Sequence, residues 1–130
     1  MNAPKLDAAE RALYHQVHPL KLAVDVSTAI LGVALLTEHR LSVALAVIWG
    51  PPILTSALLV RFGDFSRTKA SCTGAYLRRY MTLTMQSVRF LGMGVAATGA
   101  WLHAWWMVPV GVVIVGWGWT GSWVVDRRRA

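Results

Sequence analysis

Four apolar stretches, each about 18 to 21 residues long, leave this chain few folds to choose from. They run over residues 19–36, 41–59, 82–102 and 107–125. A helix rises about 1.5 Å per residue, so about 20 residues cross a hydrocarbon layer of about 30 Å. Each stretch therefore predicts one crossing. In lipid the backbone N–H and C=O groups have to be satisfied within the segment, which selects helices over open strands. The expected fold is all-α: an integral membrane bundle of four transmembrane helices, built as two antiparallel hairpins in one domain, 1–130.

Composition agrees. A hydrophobic share of 55% with seven Trp excludes disorder and most soluble classes. A formal net charge of +7 would ordinarily raise nucleic-acid binding, because clustered cations neutralise phosphates. Their placement points elsewhere. Lys5, Arg11 and Lys21 precede or open the first stretch. Arg61, Arg67, Lys69, Arg78 and Arg79 fill a basic loop at 61–80, and Arg127, Arg128 and Arg129 close the chain. Across the stretches only Arg40 stands in a connection, beside Glu38. This positive-inside asymmetry predicts a multi-pass cell-membrane protein with cytoplasmic N- and C-termini and a cytoplasmic central loop. Anionic headgroups of membrane lipids are the expected partners of these charges, and nucleic acid is not.

Cys72, the single cysteine, excludes an intrachain disulfide and falls in the cytoplasmic loop. The first apolar run starts late, after Lys5, Asp7, Glu10 and Arg11, and no small-residue cleavage site follows it. It is expected to remain as a span rather than leave as a signal peptide.

Local signals punctuate the pattern. Asp7 and Glu10 have the spacing of a capping box, and Leu6, Leu13 and Val17, with Ala9 or Tyr14, form an apolar stripe behind it. A short N-terminal interfacial helix is expected there. Pro19 suits the first position of a helix, and the turn around residues 37–40 is short enough for a tight hairpin. Within the second stretch Gly50, Pro51 and Pro52 predict a bend, because the carbonyls of Val47 and Ile48 lose their N–H partners. Gly92, Ala96 and Ala100 recur every fourth residue, a face that lets another backbone approach closely. Trp101, Trp105 and Trp106 mark the outer interface, and Pro109 is placed to start the fourth span.

Three polar sets carry the candidate chemistry. Asp25 lies about six residues, or roughly 9 Å, into the first span, where a bare carboxylate is expensive. Lys21 one turn earlier and Arg89 in the third span are its candidate partners, and an Asp25–Arg89 bridge would tie the two hairpins. His15, His18 and Asp25 share one face of a continuous helix and form a candidate set for a divalent metal. His39 and His103, in the two outer turns, are the pair that could serve as axial haem ligands; no spacing demands this, and haem is not expected.

Three functions follow. The first is an oligomeric transport or accessory subunit with a polar site around Asp25 and Arg89. A second is a metal-binding enzyme at the membrane interface using His15, His18 and Asp25. The third is a purely structural subunit of a larger membrane complex. A four-helix bundle has little room for an enclosed path, so the transport reading expects a homo-oligomer or a larger assembly.

Overall fold

The computed structural model describes residues 5–130, and every regular element among them is helical. In chain order these are α1 (Ala8–Tyr14), a 3-10 turn (His15–Val17), α2 (Pro19–Thr37), α3 (Leu41–Phe62), α4 (Ser66–Ala70), α5 (Cys72–Tyr80), α6 (Leu83–Trp101) and α7 (Met107–Arg129). The described residues divide into two compact units. The first holds those up to Gly32 together with Ser42–Arg78, the second Val33–Leu41 with Arg79–Ala130.

Three helices are long and apolar enough to cross a membrane: α2, α3 and α7, with mean hydropathies of 1.8, 2.0 and 1.5. The chain thus has the character of a helical membrane protein. The expected fourth span forms as a helix of 19 residues, α6, but is not one of these three. Thr84, Gln86, Ser87 and Arg89 crowd its first half and dilute its apolar character.

In the first unit, α1 begins with the capping box: Asp7 accepts from the Ala8 N–H at 2.7 Å and Glu10 from the Asp7 N–H at 3.1 Å. Its Tyr14 is fully buried. Arg11 reaches the end of α3, donating to the carbonyls of Val60 at 3.0 Å and Gly63 at 3.4 Å. Those carbonyls have no intrahelical partner, and a cation there also opposes the negative helix end. Helix α3 runs unbroken through Pro51 and Pro52.

The segment expected as a loop at 61–80 is mostly helical. Arg61 and Phe62 extend α3, and α4 and α5 follow. Ser71 makes the corner, donating to the Thr68 carbonyl at 2.7 Å and accepting from the Gly74 N–H at 3.2 Å. Gly74 has to lack a side chain, because a Cβ there would collide with the Thr68 carbonyl. Arg78 then donates to the Tyr14 hydroxyl at 2.5 Å and to the Lys69 carbonyl at 3.1 Å, while Lys69 meets Glu10 at 2.7 Å. Long-range cationic contacts thus order a stretch whose composition reads as loop.

In the second unit α6 and α7 lie antiparallel and very close. A Cβ on Gly92 would meet the Gly111 carbonyl at 2.7 Å, and one on Gly111 would meet the Gly92 carbonyl at 2.5 Å and the Ala96 nitrogen at 2.6 Å. Ala100, one turn further along the same face, is fully buried. Helix α7 starts at Met107, two residues before Pro109. Pro109 still sits in the first turn, where an N–H has no helical partner to lose.

Helices α2 and α6 stop in the same way. His39 N–H donates to Leu36 and Arg40 N–H to Leu35, and His103 N–H donates to Ala100 and Ala104 N–H to Gly99. This is the Schellman pattern, whose pivot residue takes a left-handed backbone, usually as Gly. Here His39 at φ 55° and His103 at φ 54° take that role.

Candidate functional site

The first unit gathers its polar side chains where the 3-10 turn and the start of α2 meet the second half of α3. Lys21 enters from the first turn of α2 with its side chain only 10% exposed. Its ammonium lies 2.5 Å from the Asp25 carboxylate and 3.3 Å from the Pro52 carbonyl. The i,i+4 spacing brings cation and anion onto one helix face. Asp25 is more open, with 42% of its side chain exposed.

One helical turn beyond Pro52, Ser56 meets His15. The His15 Nδ1 is 2.6 Å from the Ala12 carbonyl and Nε2 is 3.2 Å from the Ser56 hydroxyl. A carbonyl only accepts, so Nδ1 carries the proton and Nε2 receives the hydroxyl hydrogen. Burial, first, lowers His15 below its ordinary 6.5; the Ala12 hydrogen bond pulls upward, and the neighbouring Lys21 charge adds a smaller downward push. The ring is therefore neutral at pH 7. An apolar groove of about 270 Å³ lies alongside, lined by Leu20, Thr55, Leu58, Leu59, Phe62 and Gly63.

His18 has a different task. Its Nδ1 accepts from the Leu20 N–H at 3.2 Å, and its ring stands edge-on to Phe65 at 6.3 Å. It caps α2. His15 has both ring nitrogens engaged with protein, and no three His, Cys, Asp or Glu side chains converge on a common point among the described residues. The structure does not bring His15, His18 and Asp25 together as one set.

In the second unit Arg89 lies over the Trp119 ring at 4.3 Å, its stem filling the space that Gly118 leaves open. His39 and His103 come together at the hairpin tips, ring centroids 5.2 Å apart and inclined at 65°, with Trp101 edge-on to His39 at 4.6 Å. Of the proline segment, Gly50 faces open space, Thr55 donates to the Pro51 carbonyl at 2.8 Å, and Pro52 accepts Lys21.

Sequence reasoning missed Ser56 as a partner of His15, and missed Pro52 as a partner of Lys21. The prolines were no signal for the latter, since the carbonyls they leave without N–H partners are those of Val47 and Ile48, not Pro52. Comparison with protein-family models, curated proteins and solved structures finds no match.

Proposed function

We propose that this chain is a small multi-pass cell-membrane protein with four spans, α6 among them, and with cytoplasmic termini. We further propose that it works as an oligomeric transport or accessory subunit through the Lys21–Asp25 site, with Arg89 a further intramembrane charge in the other unit. The distribution of Lys and Arg supports the orientation. Internal satisfaction of polar groups supports a spanning α6: Ser87 donates to the Leu83 carbonyl at 3.0 Å and Thr98 to the Gly94 carbonyl at 2.8 Å. Arg89 spends its charge on an aromatic face and its stem on Gly118.

The openness of Asp25 carries the functional reading. Its helix is long and apolar enough to cross a membrane, yet the carboxylate is 42% exposed. Placed in hydrocarbon, an exposed aspartate costs up to about 2.5–3.5 kcal/mol at mid-bilayer, less nearer the surface. Lys21 neutralises the pair but leaves part of the carboxylate uncovered. A second copy, a partner subunit or a water-filled path has to complete its solvation. Native mass spectrometry of gently extracted protein tests this: dimers or larger assemblies are expected, weakened in Asp25→Asn. A strictly monomeric wild type contradicts it.

One observation favours a second reading, an interfacial enzyme. The His15–Ser56 hydrogen bond, with Nδ1 held by Ala12, has the order of nucleophile, base and orienting group. A fluorophosphonate label on Ser56, lost in His15→Gln, would favour this reading over transport.

A further inference from the structure

We propose that a groove at the inner end of α7 is a built site for one anionic phospholipid, recognised through its phosphodiester. The groove has a volume of about 360 Å³, and Arg79, Arg129, Ser122, Trp117, Met85 and Val125 line it together with Tyr80 and Asp126. That volume lies at the low end of the range for small-molecule sites, about 300–1,000 Å³. It takes a headgroup and the first carbons behind it, not a whole lipid.

The lining combines the donors and the hydrocarbon that such a ligand demands. The guanidinium groups of Arg79 and Arg129, the Ser122 hydroxyl and the Trp117 indole N–H are all able to donate to phosphate oxygens. Met85 and Val125, interspersed among them, offer hydrocarbon to a glycerol backbone and the head of an acyl chain. Trp117 can lie along its own helix because Gly121 has no side chain; a Cβ there would meet the indole nitrogen at 2.7 Å.

The charge count selects the ligand. Asp126 is already held, by Arg79 at 3.0 Å and by the Tyr80 hydroxyl at 2.7 Å. Two guanidinium groups and one carboxylate leave the groove with one net positive charge, matching the single negative charge of a glycerol phosphodiester. A zwitterionic choline headgroup brings its own cation and has no such match. Arg127 is turned away, over the Trp123 ring at 4.4 Å. The inference rests on the membrane reading above but is independent of Lys21 and Asp25, which lie in the other unit.

The test is lipid retention by the full chain in mild detergent, read by native mass spectrometry against phosphatidylglycerol, phosphatidylcholine and inorganic phosphate. One phosphatidylglycerol should stay bound per chain at about a tenth of the phosphatidylcholine concentration needed for equal occupancy. Arg129→Ala should weaken retention about ten-fold, the order expected for losing one charge-assisted hydrogen bond to the phosphate. Arg128→Ala removes the same charge from outside the groove and should leave retention unchanged; Asp25→Asn should also leave it unchanged. Equal losses in Arg128→Ala and Arg129→Ala would overturn the proposal, since diffuse attraction then suffices. So would equal retention of the two lipids, or displacement of phosphatidylglycerol by millimolar phosphate, which would make the groove a free-anion site.

Discussion

His15 is held neutral by burial and hydrogen-bonded at both ring nitrogens, which ties its titration to the integrity of the first unit. Its folded value lies below the ordinary 6.5, so the unfolded chain takes up a proton first as pH falls. Its contribution is complete above about pH 6.5 and is lost as pH drops from there through the lower folded value. The thermal midpoint in detergent should therefore fall between about pH 7 and about pH 5, and fall less steeply in His15→Gln. Identical slopes in the two proteins would contradict this. Tyr14 and Arg78 offer a second residue-scale check, because the buried hydroxyl accepts a charged donor at 2.5 Å. Tyr14→Phe should cost about 1.5–3 kcal/mol in denaturant unfolding. The Asp7–Glu10 cap was legible in the sequence because it is local, three residues apart. His15–Ser56, Arg11–Val60 and Tyr14–Arg78 are separated by 41, 49 and 64 positions, and no periodicity links residues at such distances.

At the scale of elements, the glycines of α7 divide into those that touch and those that do not. Gly111 has the Gly92 carbonyl and Ala96 in the way of any side chain, and backbone cannot swing aside as a side-chain tip can. Gly111→Val should separate α6 from α7 and cost about 1–3 kcal/mol or more, read as a lower thermal midpoint. Gly116 faces open space, so Gly116→Ala should be neutral or slightly stabilising through helix propensity. Equal losses at both positions would remove the close-approach explanation. The every-fourth-residue spacing of Gly92, Ala96 and Ala100 marks this face in the sequence, but not which helix it would meet. The helices α4 and α5 were hidden for another reason. Ser71, Gly74 and the reach of Arg78 and Lys69 support them, beside the burial of a single leucine, Leu77, in α5. The apolar runs marked where α2 and α6 end, but not how, because histidine, rather than glycine, occupies each left-handed pivot.

At the scale of the molecule, the question that orders everything else is whether α6 crosses. Helices α2, α3 and α7 qualify on length and apolarity, whereas α6 matches α2 in length and carries Arg89. A crossing α6 gives an even number of spans and puts every basic segment on one face. A non-crossing α6 would put Arg127, Arg128 and Arg129 opposite Cys72. Labelling intact cells with a membrane-impermeant thiol reagent decides between these, using native Cys72 and single cysteines placed at His39, His103 and Ala130 in a Cys72→Ser background. The account predicts labelling at 39 and 103 from outside, and at 72 and 130 only after the cells are permeabilised. Labelling of 130 from outside, with 103 protected alongside 72, would contradict it.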